Sequence, residues 1–315
     1  MYACLDLGSN SFHLLIARWS EGKTEIVERF SEKVQLGENV TSTGMLSPQA
    51  FQRGIDCLVR FQNVINRYPI KNCWAVGTNA LRVARNAADF VEAARRVGFD
   101  VSVISGIQEA TLVYAGVTSA IVGSDVSQLV VDIGGGSTEL IVGCGRKSLW
   151  MQSLPVGCVS WRDSWFCNLS VDSSELERVL DEAVAAASLV FQNVMPELND
   201  YHWVNSYASS GTAKMFSAVC EQSTPRIQGI SLEALLKMRP VIIDSMSTGN
   251  LLPGMTETRR ELILPGWAIL TALMQSYSLS SISFSATALR EGMLDFMVRN
   301  KEPAIALAEF HSASL

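Results

Sequence analysis

The sequence predicts an α/β protein built from two copies of one domain. Each copy is read as a mixed sheet flanked by helices, with a cleft between the copies. Two observations predict this. The same order of elements occurs twice: three strands, then alternating helices and strands. One ten-residue pattern also opens both halves. LDLGSNSFHL (5–14) and VDIGGGSTEL (131–140) both read apolar-Asp-apolar-Gly-x-x-Ser-x-x-Leu, at a constant offset of 126 residues. The 315 residues are 48% hydrophobic and 18% charged, enough apolar material for two cores.

In the first half, Tyr2–Gly8, Ser11–Ser20 and Lys23–Leu36 read as strands. Turns are expected around Asn10 and at Glu21-Gly22. Ser47-Pro48 opens a helix, with Ser as N-cap and Pro at the first helical position. Its expected apolar face is Phe51, Ile55, Leu58, Val59 and Ile65. A strand (Cys73–Gly77), a helix (Ala80–Val97), a strand (Val101–Ser105) and a helix (Gln108–Ile121) follow. The second half begins with strands at Gln128–Ile133, Thr138–Gly143 and Leu149–Val156. A long helix over Ser174–Met195 comes next, then a strand ending at Ser209-Ser210-Gly211-Thr212. After more helix come a strand at Ser281–Ser285 and a helix at Leu289–Val298. These elements place the domains at 1–122 and 123–300, with 301–315 a loosely held tail.

Composition excludes several classes of function. The net charge is −6, so no basic nucleic-acid platform is present. The apolar run LILPGWAILTALM (262–274) is short and carries Pro265 and Gly266, so it does not read as a membrane span. Cysteines stand at 4, 57, 73, 144, 158, 167 and 220 with no CxxC, which points to reduced, mostly buried thiols in the cytoplasm. No secretory-signal pattern opens the chain. Three histidines (His13, His202, His311) leave little material for a histidine metal cluster.

The chemistry concentrates in the glycine turns. Glycine at such a bend permits φ > 0 and close approach to a ligand. Successive amide N–H groups make a concave anion site. Ser9, Ser11, Ser137 and Thr138 add hydroxyls. Asp6 and Asp132 end the strands before the turns. A carboxylate beside phosphates calls for an intervening cation, and Mg²⁺ held by one or two carboxylates is the usual solution. Glu139 is a further ligand candidate. Each turn also has a plain structural reading, because Gly, Asp and Ser favour turns for local reasons.

Three more stretches carry candidates. In ISGIQEA (104–110), Glu109 falls in the first turn of a helix, where it is either a general base or a helix-stabilising acid. Ser105 and Gln108 fit a capping box. In VGTNALRVARNA (76–87), Thr78 is the expected N-cap. Arg82 sits about one turn inside, opposing the helix dipole, which favours a ligand role; Arg85 reads as solvated. SSGT (209–212) is a third phosphate-facing loop or an ordinary cap.

These segments resemble the exopolyphosphatase / guanosine pentaphosphate phosphatase family of the actin, sugar kinase and heat-shock chaperone ATPase superfamily. The resemblance rests on DLGSNSFHLLI (6–16), GTNALRVARNAADFV (77–91), ISGIQEA, VVDIGGGSTEL (130–140), VGCVSW (156–161), SSGT, LPGWAIL (264–270) and ALREG (288–292), in family order along nearly the whole chain. It implies two actin-like (ribonuclease H-like) domains and Mg²⁺-dependent hydrolysis of a terminal phosphoanhydride of polyphosphate or guanosine pentaphosphate. Under it, Glu109 is the catalytic glutamate that activates water, and Arg82 lies near the scissile phosphate. Asp132 and Glu139 support metal and water, with Asp6 a further metal candidate. Gly8, Ser9, Asn10 and Ser11, and Gly134, Gly135, Gly136 and Ser137, form the phosphate loops. Ser210, Gly211, Thr212 and Arg259 add phosphate contacts. No nucleic acid or membrane partner is implied; a homodimer is.

The chain departs from the family pattern at Gln108, Thr111, His13 and Thr287, which bears on substrate choice and rate. It reads as the short two-domain form, without the histidine–aspartate domain of long members. A kinase or ATPase on the same fold, and a non-catalytic polyphosphate or alarmone sensor, are the alternative functions.

Overall fold

A computed structural model describes residues 1–20, 23–121, 126–167, 169, 172–223 and 229–312. The expected turn at Glu21-Gly22 lies outside them. The chain divides into two compact units, Met1–Val122 with Thr287–Leu315, and Gly123–Ala286.

The first unit opens with β1 (Tyr2–Leu7), β2 (Ser11–Ser20) and β3 (Lys23–Lys33) as an antiparallel meander. A single turn α1 (Val40–Thr43) leads to α2 (Pro48–Ile65), β4 (Asn72–Gly77), α3 (Asn79–Val83), α4 (Ala87–Val97), β5 (Val101–Val103) and α5 (Gly106–Ser119). The sheet order is β3-β2-β1-β4-β5, with β1, β4 and β5 parallel. Ala3, Leu5, Leu7, Phe12, Leu14 and Ile16 on one face of the sheet pack with Cys57, Leu58, Phe61, Phe90 and Ala94 of α2 and α4.

The second unit repeats the pattern. β6 (Ser127–Ile133), β7 (Thr138–Cys144) and β8 (Lys147–Leu154) form another meander. Then come α6 (Cys158–Trp161), a π-helical turn (Arg162–Phe166), α7 (Ser173–Gln192), α8 (Met195–Leu198), β9 (Asn205–Ser209) and α9 (Ser210–Ser223). β10 (Ile230–Ser231), α10 (Leu232–Thr248), a 3₁₀ turn (Glu257–Leu262), α11 (Ile263–Ser276) and β11 (Ser281–Phe284) complete it. The sheet order is β10-β11-β9-β6-β7-β8. Read from β8, this is the first unit's order with one added edge strand. Residues 263–274 of the run 262–274 lie buried in one continuous helix in the core, and no described helix is long and apolar enough to cross a membrane.

Five local expectations change. The helix expected over Ala80–Val97 is two, because Ala84 is extended. Long-range bonds cause the break: Leu46 N donates to Asn86 Oδ1 (2.8 Å), Asn86 Nδ2 donates to Leu46 O (3.0 Å), and Arg85 N donates to Gly44 O (3.0 Å). Arg85 is thus not merely solvated; its Nη2 also donates to Thr43 O at 2.9 Å, at the end of α1. Val59 is 44% exposed, since the buried stripe of α2 runs through Ala50, Gly54, Cys57, Leu58, Phe61 and Ile65. Thr78 precedes α3 without capping it.

The C-terminal segment is the fifth. The sequence put residues up to 300 in the second domain and left a tail. The chain instead divides after Ala286, and α12 (Leu289–Arg299) and α13 (Pro303–Ser312) pack on α5. The α5–α12 crossing is backbone against backbone. A Cβ on Gly116 would sit 1.8 Å from Ala288 O, and one on Gly292 would sit 1.8 Å from Leu112 O. Glu291 adds a tie, accepting from Ala288 N (2.9 Å) and pairing with Arg29 (3.0 Å).

Glycine to alanine inside a helix normally stabilises by about 1 kcal/mol. Here Gly116→Ala or Gly292→Ala is expected to destabilise by about 1–3 kcal/mol or more through overpacking. Denaturant unfolding checks the sign.

Candidate functional site

In open α/β sheets, ligands bind beyond the carboxyl ends of the parallel strands. In the first unit those ends are Leu7, Gly77 and Val103. They deliver the Gly8–Ser11 turn, α3 with Arg82, and α5 with Glu109. Ser105 and Gln108 do form the capping box: Ser105 Oγ accepts from Gln108 N (3.2 Å) and Ser105 N donates to Gln108 Oε1 (2.8 Å). The N-terminus of α5 is therefore capped without Glu109. Glu109 is 9% exposed and accepts from Arg82 Nη1 at 2.6 Å; the same nitrogen donates to Ile104 O at 3.0 Å. Arg82 lies in the last turn of a five-residue helix, so it does not oppose the dipole as the sequence suggested. Its place is set by Glu109.

In the second unit the parallel ends are Ile133, Ser209 and Phe284. They deliver the Gly134–Ser137 turn and the Ser210–Thr212 segment. Ser210 has φ 94°, a strained conformation for a residue with a side chain. Its Oγ accepts from Thr212 N (3.1 Å) and Ala213 N (3.3 Å), so this hydroxyl caps α9. The Thr212 hydroxyl meets Cys158 Sγ at 3.1 Å. Gly211 lies against the Arg259 guanidinium: a Cβ there would lie 2.0 Å from Arg259 Nη2, so that group would have to shift. Arg259 is half-buried, and desolvation lowers its pKa, opposed by the neighbouring Cys158. Among the described residues no carboxylate pairs with it. A desolvated guanidinium without a counter-charge suits an anion.

The two turns share one bracing scheme. In the first, Gly37 N donates to Ser9 O (2.8 Å), while Val34 N and Gln35 N donate to Asn10 O (3.1 and 2.8 Å). In the second, Cys158 N donates to Gly134 O (3.0 Å), while Val159 N and Ser160 N donate to Gly135 O (2.7 and 3.1 Å). Each turn is thus held through its carbonyls by the segment after the third strand. Among the described residues, none accepts from the amides of Ser9, Asn10, Gly135 or Gly136. That leaves a concave run of amides in each turn. Buried Asn10 Oδ1 also has no partner, while its Nδ2 donates to Ser11 Oγ at 3.2 Å.

The reason for the glycines differs from expectation. Gly8, Gly134, Gly135 and Gly136 are not among the positive-φ residues. At Gly8 and Gly134 space is the constraint. A Cβ on Gly8 would lie 3.0 Å from Ser11 O, and one on Gly134 3.1 Å from Ser137 O. Gly157, unnoticed in the sequence, packs on the loop so closely that a Cβ would meet Gly136 N at 2.4 Å.

Asp132 and Glu139 stand directly opposite each other across β6 and β7, 9% and 1% exposed. Ser209 Oγ donates to Asp132 Oδ2 (2.7 Å) and Ser153 Oγ to Glu139 Oε1 (2.7 Å). Asp6 stands opposite His13 across β1 and β2. Among the described residues, no group of three His, Cys, Asp or Glu side chains is gathered for a metal. A two-carboxylate set fits Mg²⁺ only if phosphate oxygens and water complete the shell. Gly157, Ser153 and Asn86 were missed because each acts through a partner distant in sequence.

The Ppx/GppA phosphatase family model matches residues 15–301. The chain belongs to this family. A guanosine-5'-triphosphate,3'-diphosphate pyrophosphatase of Aliivibrio fischeri (strain MJ11) is 34% identical over 304 residues, covering 95% of this chain and 59% of that protein. The chain thus spans little more than half of that relative. An Aquifex aeolicus Ppx/GppA family member superposes with a TM-score of 0.74 at 26% identity, over 95% of this chain and 98% of that one. An exopolyphosphatase structure from Cytophaga hutchinsonii, 24% identical, shares the fold at a TM-score of 0.84, over 95% and 97% of the two chains.

Arg82→Gln leaves Glu109 buried without its cation, a loss of about 3 kcal/mol for a mostly buried pair. Adding Glu109→Gln is expected to recover much of it, which a double-mutant cycle measures. The buried cysteines set an alkaline limit. Burial pushes the Cys158 and Cys220 thiols up to about 11 and Cys57 to about 12, from 9.0. Their contribution is complete below pH 9 and lost as pH rises towards 11. Melting temperature is expected to fall over that window.

Proposed function

We propose that the chain hydrolyses a terminal phosphoanhydride, with guanosine pentaphosphate as substrate, giving the tetraphosphate, and inorganic polyphosphate as the second substrate. The observation that carries this is the buried Arg82–Glu109 pair at 2.6 Å, delivered beside the unengaged Ser9 and Asn10 amides at the carboxyl ends of parallel strands. Family membership supports the reaction class, and the Aliivibrio relative's name supports the guanosine substrate.

In this reading the turn amides and Arg259 bind phosphate oxygens. Glu109 takes a proton from water as its oxygen bonds to the terminal phosphorus and the bridging P–O bond breaks. Arg82 orients the Glu109 carboxylate. Asp132 and Glu139 hold Mg²⁺, which when bound offsets phosphate charge. No disulfide joins the seven described cysteines, which supports a cytoplasmic setting, and a homodimer is carried over from the resemblance. One observation favours a sensor that binds without turnover: Glu109 is already paired with Arg82.

Phosphate release from both substrates, with and without Mg²⁺, tests the proposal. Release that requires Mg²⁺ is expected. Glu109→Gln is expected to abolish turnover and keep binding. Tight binding without release from either substrate would establish the sensor instead.

A further inference from the structure

One register level of the second sheet carries four polar residues in a row: Ser153 on β8, Glu139 on β7, Asp132 on β6 and Ser209 on β9. Directly opposed residues share a face, with Cβ atoms about 5 Å apart, and like charges so placed destabilise the pair. Here both charges are buried, 1% and 9% exposed, beside a Ser209 that is fully buried. Each carboxylate accepts a 2.7 Å bond from the serine on its outer flank. Two hydroxyls so placed fix the orientation of both carboxylates.

The first unit shows what the duplication changed. Its corresponding level reads Ser31, His13, Asp6 and Val76. A histidine faces the aspartate there in place of a second carboxylate, and valine stands where Ser209 would be. Opposed carboxylates flanked by two serines occur only in the second row. Its donors are hard oxygens of the kind Mg²⁺ and Mn²⁺ take.

We infer that Ser153 and Ser209 are positioning residues that orient Glu139 and Asp132 toward one shared divalent cation. This rests on the proposed placement of Mg²⁺ at these carboxylates.

The test is Mn²⁺ binding to the full chain with inorganic phosphate present to complete the shell, followed by titration calorimetry and the resonance of free Mn²⁺. One site is expected, weakened about 10-fold or more in Ser153→Ala and in Ser209→Ala. Ser153→Thr, which keeps the hydroxyl, is expected to bind as the unaltered chain does. Unchanged affinity in both alanine variants, or no Mn²⁺ bound by the unaltered chain, overturns the inference. Melting curves report whether each variant folds; if Ser209→Ala does not, the Ser153 pair decides. Phosphate release from the same samples separates the two claims. Serine-dependent Mn²⁺ binding without phosphate release would end the hydrolase reading and leave this inference standing. Release with serine-independent binding would do the reverse.

Discussion

In each unit the turn after the first strand is held by its own carbonyls, and the candidate chemistry depends on that. A peptide group bonded through its oxygen turns its N–H the other way. The braces at Ser9 and Asn10, and at Gly134 and Gly135, therefore leave amides of both turns unengaged. Ser9 and Asn10 are buried, and leaving buried amides without a partner is costly in a finished protein. It becomes reasonable when a ligand supplies the acceptor.

The bracing is linked to the rest of the first unit. The segment that holds Asn10 runs on through α1 to Leu46, and Asn86 clasps Leu46 by both main-chain groups. Asn86 follows closely on α3, whose Arg82 holds Glu109. Glu109 in turn sits on α5, which is fixed by the glycine crossing with α12. A loop, two short helices and the returning C-terminal segment thus share one set of constraints. Cores of this kind transmit small shape changes because they are closely packed.

The duplication shows how one scaffold carries two different polar rows. Both units keep the strand order, the turn and the aspartate before it. They differ across the strand pair, where His13 in one unit answers Glu139 in the other. Pairing register makes that difference matter, because it decides which side chain stands against each aspartate.

Residue order by itself determined the local features: the strand–turn–strand units, their constant offset, the Ser105–Gln108 box and the buried halves of most helices. These depend on periodicity and on groups a few residues apart, so adjacent sequence carries them. Tertiary structure decided the break between α3 and α4, the outward turn of Val59, the pairing of Arg82 with Glu109 and the return of residues 287–312 to the first unit. Each of these is set by a partner tens or hundreds of residues away. A hydrogen bond from Leu46 to Asn86, or a backbone contact between Gly116 and Gly292, leaves no period in the sequence; only the folded chain brings the two ends together.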